Sequence, residues 1–406
     1  MYKTNHFIPL SIPNFEGNEE KYVLDAVRQG WVSTGGAYIS EFEEHLADFL
    51  NAPAVAACQS GTSALHLALL ECGVCSGDSV IVPTLTFIAA VNPVKYQYAH
   101  PIFMDCDDSL CMDPIKLRKY CEEECEQING KLYDRKRHSQ IKAIIVVHVF
   151  GNMADMEAIM DTACQYGLKV IEDATEALGT KYTEGRYKGK FAGTIGDFGA
   201  YSFNGNKIIT TGGGGAVTAK DTACLEHMKY LSTQAKDDPL FYVHHEVGYN
   251  YRMTNVQAAI GVAQLEELPR FIERKQRNYE AYQSLLRGCE MGKLLNVRSD
   301  IDSNRWFYSF ELADDDILAE DMIKKLSKNE IQTRSIWGLI HEQRPYRNDT
   351  AYQIERAIVY QNRVINLPCS TQLTLDEIEQ VVRCMKNIWI QQKETFKEES
   401  ACKKEI

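Results

Sequence analysis

The tightest constraint on this chain is the run Ala143-Ile-Ile-Val-Val at the start of residues 143–150, apolar at every position and dominated by β-branched side chains. A strand with one face in water alternates polar and apolar residues, so a run without alternation has to be covered on both faces. Comparable runs occur at residues 54–58, 79–82, 101–105, 168–173, 198–203 and 216–219, and helical periods lie between many of them, at 63–72, 88–98 and 156–166. Strand–helix alternation of this kind predicts an α/β layered fold with a mostly parallel central sheet flanked by helices.

Two helices precede that sheet. Residues 18–30 read as an amphipathic helix stopped by Gly30, and residues 39–50 place Ile39, Phe42, Leu46 and Leu50 on one face. The highly charged stretch 122–140, with an Asn129-Gly130 turn signal, reads as a surface hairpin. After about residue 255 the texture changes to a helix at 254–268 with Thr254 as N-cap, then charged helices at 272–287, 319–329 and 375–392 with short strands such as 306–311. The reading is therefore a large domain over residues 1–260 and a smaller α+β domain over 261–406. Its charged tail from residue 395 is expected to fray.

Charge and cysteine usage narrow the partners. With 44 Lys and Arg against 56 Asp and Glu the net charge is −12, and the densest basic clusters are only Arg135-Lys136-Arg137 and Lys403-Lys404. Nucleic acid is not an expected partner, whereas a small anion in a local pocket is compatible with such a balance. The 13 cysteines are odd in number and scattered, as expected of free thiols in a reducing cytosol. The Cys72/Cys75 and Cys121/Cys125 pairs lack a second ligand pair, so no metal is expected. No signal-peptide pattern and no run of 18 apolar residues is found, so the expected location is the cytoplasm, away from membranes. G-x-G-x-x-G between strand and helix, G-x-x-x-x-G-K-[ST], H-E-x-x-H and G-x-S-x-G are all absent.

Four segments carry chemistry. In Gln59-Ser-Gly-Thr-Ser63 a strand gives way to a helix whose N-terminus can hold a phosphate; an ordinary Ser/Thr cap accounts for it as well. Asp173 closes the buried run 168–173 at the edge where open α/β sheets place ligands. It reads equally as a solvated loop acid or cap and as the anionic partner of a cationic ring. Lys207 stands among small uncharged residues just before Gly212–Gly215, a setting for a desolvated nucleophilic amine or for an exposed loop lysine. Gly248-Tyr-Asn-Tyr-Arg-Met-Thr-Asn255 taken alone is the capped start of a helix. The order is more telling than any one of them. A phosphate cup, an aromatic (Phe87, otherwise a core side chain), an acid, a lysine and a glycine run together match the needs of pyridoxal 5′-phosphate.

At these residues the sequence resembles the fold-type I pyridoxal-phosphate enzymes, and within them the nucleotide-sugar aminotransferases of the DegT–DnrJ–StrS family. The resemblance runs over about residues 8–389, through Trp31–Gly36, Ser60–Leu67, Glu172–Gly179, Ser202–Gly215 and Gly248–Gly261. Ile331-Gln-Thr-Arg-Ser-Ile-Trp-Gly338 and Pro9-Leu-Ser-Ile-Pro-Asn-Phe15 look like the LegC-type branch. The resemblance implies that Lys207 bonds to the cofactor, Asp173 lies under its ring nitrogen, Gly61, Thr62 and Ser202 form the phosphate cup, and Phe87 stacks on the ring. Glu176 falls beside the ring where many relatives carry Gln or His, and Asn250 matches a residue that reaches the phosphate of a second subunit, which implies a homodimer with shared sites.

Trp31, Ser33, Thr34, Arg334 and His341 lie in segments that line the sugar-nucleotide side in the family. Arg252 and Arg334 are candidate anion contacts, with a structural salt bridge as the alternative for each. The implied activity moves an amino group from glutamate to carbon 4 of a UDP- or GDP-linked 4-keto-6-deoxy-N-acetylhexosamine. The implied product feeds bacterial amino-sugar or nonulosonic (legionaminic or bacillosamine-type) glycans. The alternatives are amination at another sugar position, a 3-dehydratase, whose relatives replace the lysine with histidine, a non-catalytic regulator that binds the cofactor or a sugar nucleotide, and a fold-type I enzyme acting on amino acids.

Overall fold

The run at 143–150 does lie between two covered faces. In the computed structural model of the chain, which describes residues 7–238, 240–313 and 319–402, with side chains up to 394, it forms the middle of a long sheet. Residues 1–6 and 403–406, and with them Lys403-Lys404 and the end of the charged tail, lie outside the described residues.

Helix α1 (Glu19–Gln29) stops at Gly30, whose left-handed φ of 77° returns its N–H to the carbonyl of Val27. Helix α2 (Ala37–Leu50) buries Ile39, Phe42, Leu46 and Leu50, the face its periodicity marks. Then follow β1 (Val55–Cys58), helix α3 (Gly61–Glu71), β2 (Ser79–Pro83), β3 (His100–Met104), β4 (Ser139–Val147), β5 (Lys169–Asp173), β6 (Phe198–Ser202) and β7 (Gly215–Ala219). Between β3 and β4, Cys125–Ile128 and Lys131–Asp134 form the expected hairpin around Asn129-Gly130. The helix expected at 88–98 is instead a 3-10 turn, Ile88–Ala90, and a short helix, Asn92–Tyr96, because Pro93 cannot donate to a continuous ladder.

Helix α4 (Asn255–Leu285) leads into β8 (Gly292–Leu294), β9 (Tyr308–Leu312), helix α5 (Ala319–Lys328), β10 (Arg334–Ser335), β11 (Thr350–Tyr352), β12 (Val364–Leu367) and helix α6 (Leu375–Cys402). The large sheet runs β1-β7-β6-β5-β4-β2-β3-β11. Strand β7 is antiparallel to both its neighbours, and all other pairs along this path are parallel. A small antiparallel sheet runs β8-β9-β12-β10.

Beyond the 88–98 segment, helix α4 and strand β11 also depart from the sequence reading. The helices expected at 254–268 and 272–287 are one, α4, with Pro269 inside it. An interior proline costs about 3 kcal/mol. Here the flanking Val262, Leu265, Leu268 and Phe271 are all buried, and that packing holds the helix together across the missing bond. The boundary expected at 260/261 falls inside α4, whose first half packs in the large core while Tyr279 and Tyr282 pack in a second core with Tyr308, Phe310, Val381 and Met385. The other correction is β11, which no strand signal marks and which closes the β3 edge of the large sheet.

Among the described residues the cysteines are free thiols, and no group of three or more His, Cys, Asp or Glu is arranged to hold a metal ion. Among them, too, no helix is long and apolar enough to cross a membrane.

Phe42 joins α2 to α4. Its ring meets Phe203 edge-on at 5.2 Å, and a Cβ added at Gly261 of α4 would lie 2.7 Å from it. Phe42→Ala is expected to lower stability by about 3–5 kcal/mol, measured by urea denaturation.

Candidate active site

Along a strand successive side chains face opposite sides, so Glu172 and Asp173 at the end of β5 part company. Glu172 is fully buried and accepts from His148 Nε2 at 2.8 Å and from the N–H groups of Gly193, Ile195 and Gly196. His148 Nδ1 accepts from the Ala154 N–H, which leaves Nε2 as the protonated nitrogen. Burial pushes the Glu172 carboxyl up, but the His148 bond and the backbone N–H groups outweigh it and hold the group below the usual carboxylate range. Asp173 is nearly as buried and accepts from the Thr175 N–H at 3.1 Å. For Asp173 burial prevails over Thr175 and the charge of Lys207, and its carboxyl titrates above its ordinary value. A buried carboxylate with so little hydrogen bonding is a seat for a cation.

Asp173 opens into a cavity of about 510 Å³, within the range of small-molecule sites and at the strand ends where open α/β sheets bind ligands. The start of α3 forms one wall. Ser60 caps it, its Oγ accepting from the Ser63 N–H at 3.1 Å while Ser63 Oγ accepts from the Ser60 N–H at 3.0 Å. No acceptor among the described residues engages the N–H of Gly61 or Thr62, so both remain available at the positive end of the helix dipole. A Cβ on Gly61 would stand 2.8 Å from Thr175 Cγ2 and 3.0 Å from Ser202 Cβ, so three segments meet here with room for glycine alone.

Lys207 enters from the turn after β6. Its Nζ lies 3.8 Å from Glu176 Oε1 and 4.3 Å from the centroid of the Trp306 ring, with 13% of the side chain exposed. Glu176 Oε2 accepts from the Phe150 N–H at 2.9 Å. The far wall is aromatic: Trp306 and Phe307 stack at 3.9 Å, and Phe150 packs on Trp337 at 4.5 Å. Trp306 Nε1 donates to the Asn206 carbonyl at 2.8 Å, tying this wall to the lysine turn.

The structure thus brings Gly61, Thr62, Phe87, Asp173, Glu176, Ser202, Lys207 and Arg334 to one cavity. Phe87 is 55% exposed and is no core side chain. The other named residues do not line it. Asn250 is exposed and accepts from Gln234. Trp31 and Ser33 use their carbonyls to bind Asn255, and Thr34 is exposed beside them. His341 Nδ1 lies 2.6 Å from Thr84 Oγ1. Trp337 falls in the 334–341 segment expected to line the site, whereas Trp306 and Phe307 carry no such expectation; the bulky pair that follows Asn304-Arg305 was the available signal.

Arg252 is a structural residue in this chain. Its guanidinium is buried and ion-paired with Glu43, which also accepts from the Ala57 N–H and from Lys229. Arg252→Ala is expected to lower stability by about 3 kcal/mol and to leave ligand binding in the cavity unchanged, as read from thermal melts alongside steady-state kinetics.

A family model for the DegT/DnrJ/EryC1/StrS aminotransferase family matches residues 13–386. EpsN of Bacillus subtilis (strain 168) is 36% identical over 390 residues, 94% of this chain and 96% of that protein. The GDP-perosamine synthase of Vibrio cholerae is 34% identical over 389 residues, 94% of this chain and 98% of that protein. Among solved structures, DesI in the presence of its TDP-sugar product has a TM-score of 0.85 at 24% identity, covering 98% of this chain and 97% of that one, which shows the shared fold. The chain belongs to the DegT/DnrJ/EryC1/StrS aminotransferase family, as a fold-type I nucleotide-sugar aminotransferase with pyridoxal 5′-phosphate as its cofactor.

Proposed function

We propose that this enzyme moves the amino group of glutamate to carbon 4 of a UDP- or GDP-linked 4-keto-6-deoxy-N-acetylhexosamine. It works as a cytoplasmic homodimer in the synthesis of bacterial amino-sugar or nonulosonic glycans. The observation that carries the reading is a lysine amine and an under-bonded buried aspartate in one cavity.

The residues fit the cofactor. The free N–H groups of Gly61 and Thr62, with Ser202 beside them, would hold its phosphate in the cradle that any side chain on Gly61 would fill. Asp173 would keep the ring nitrogen protonated, and Phe87 would cover a ring face. When bound, the cofactor supplies a carbonyl carbon that holds an amine and a ring that accepts an electron pair. Lys207 would hold it through its amine. With the amino donor bound, the free Lys207 amine would take the proton from the donor's α-carbon and later deliver one to the sugar carbon, acting as general base and then acid. Lysine rather than histidine at this position favours amination over dehydration.

Arg334 supports the sugar-nucleotide reading. It lines the cavity, and among the described residues no carboxylate lies within ion-pair reach of it, so it is available to a diphosphate or a carboxylate. The aromatic wall offers an apolar platform to a sugar ring. Leu240, Phe241 and Tyr242 are each 74% exposed, and Val247 in the same segment as Asn250 is 85% exposed. Such a patch supports burial against a second subunit, which would carry Asn250 to the neighbouring site.

Lys207→Ala is expected to abolish transamination, and borohydride reduction, which in the native protein leaves the cofactor's mass on the Lys207 peptide, is expected to leave none. Retained turnover in that variant would sink the assignment. Offered glutamate and a panel of UDP- and GDP-linked keto sugars, the enzyme is expected to aminate a 4-keto-6-deoxy-N-acetylhexosamine. Product mass and NMR read the position of the new amine, and amination at another carbon would replace this substrate with its regioisomer.

A further inference from the structure

Glu176 is a second acid in the cavity, 4% exposed, and its partners define a use for it. Its two oxygens are assigned different tasks. Oε2 accepts from the Phe150 N–H at 2.9 Å, so Oε1 is the oxygen that faces the Lys207 amine at 3.8 Å. Phe150 itself has φ 55° and ψ 28°, a left-handed conformation that a bulky residue keeps only where its surroundings enforce it. The bond to Glu176 is one of those restraints, and the packing of the Phe150 ring on Trp337 and Trp306 is another. The Trp306 ring in turn lies 4.3 Å from Nζ. The amine therefore lies between one carboxyl oxygen and one aromatic face.

The groups that face the Glu176 carboxyl are the Lys207 amine, the Asp173 carboxylate and the Phe150 N–H; the nearby Asn304 amide is directed to the Glu176 backbone carbonyl. Burial pushes this carboxyl up to about 7, with Asp173 adding to the rise, while the Lys207 charge and the Phe150 bond draw it only partly back. Out of water, an ammonium–carboxylate pair loses the solvation that separates it from the amine–carboxylic acid pair.

We propose that Glu176 is a positioning residue that shares one proton with Lys207. An N–H bond breaks at Nζ and an O–H bond forms at Oε1, so that ammonium and carboxylate become amine and carboxylic acid without change of net charge. The reverse transfer restores the ion pair. The 3.8 Å separation exceeds a hydrogen bond, and the flexible lysine stem closes it. The inference rests on the reading of Lys207 as the amine that serves the cofactor. It explains how that amine becomes neutral without waiting for bulk solvent.

The test uses the cofactor-free protein. The rate of Lys207 acetylation by trace acetic anhydride is followed by mass spectrometry from pH 5 to 11. Proton sharing predicts a two-step curve for the native chain, with its lower step near pH 7, and a single step for Glu176→Gln, which keeps an acceptor for Phe150 but takes no proton. A single native step lying above that of the variant would mean an ordinary ion pair and would overturn the proposal. The native curve alone decides the matter if the variant does not fold.

In the loaded enzyme, Glu176→Gln is expected to lose the limb near pH 7 from the kcat profile and to turn over about tenfold to a hundredfold more slowly; an unchanged profile would count against the proposal. A two-step curve without a borohydride-fixed tag on Lys207 would defeat the functional reading and leave proton sharing standing. A tag with a one-step curve would do the reverse.

Discussion

Everything in this active site depends on the pleat of one buried strand. Because consecutive side chains on β5 face opposite sides, two adjacent acids at its end meet different surroundings. Glu172 collects a histidine and three backbone N–H groups, and in doing so pins the loop through Gly193 and Gly196 to the sheet. Asp173 meets the cavity and has Thr175, through its N–H and side chain, as its hydrogen-bonding neighbour. Burying a carboxylate on such terms is unfavourable, and the protein tolerates it where a cation will complete the site. One turn on, Glu176 repeats the arrangement, with the lysine amine as its cation.

The cavity is built by both halves of the chain. Its floor and the end at the start of α3 come from the strand ends and α3, whereas Trp306, Phe307, Trp337 and Arg334 come from segments beyond residue 300. Helix α4 links the two, with one half packed in each core. The buried Lys275 of α4 donates to the Trp306 carbonyl at 2.7 Å, on the residue whose indole lies against the Lys207 amine. Geometry at the amine is thereby set by a helix that contributes no side chain to the cavity wall.

Much of this was legible in the sequence, for physical reasons. Strands buried on both faces announce themselves by lacking alternation, and the caps at Ser60 and Thr254 by their hydroxyls. Asp173, Lys207 and the small residues Gly61, Thr62 and Ser202 stand out by their order along the chain, since each motif alone reads as well as a cap or loop, and all five line one cavity. Features set by long-range docking were not legible. Pro269 reads locally as a break, and only the packing around it shows that α4 continues. The aromatic wall, the hook from Phe150 to Glu176 and the buried pairing of Arg252 with Glu43 join residues far apart in the chain. Asn250, Trp31, Ser33, Thr34 and His341 lie away from the cavity of their own chain, and local sequence pattern carries no information on such placement.

The position of β7 has a consequence for how the protein is made. Strand β1 emerges early from the ribosome, yet its neighbour in the sheet is residues 215–219, wedged between it and β6. Until that segment has been synthesised, β1 has no ladder to join and its N–H and C=O groups stay unpaired. The opposite margin waits longer still, since β3 is covered by residues 350–352. Both borders of the nascent sheet are thus open to wrong partners during translation, the first until residues 215–219 are made and the second until the last third of the chain has arrived.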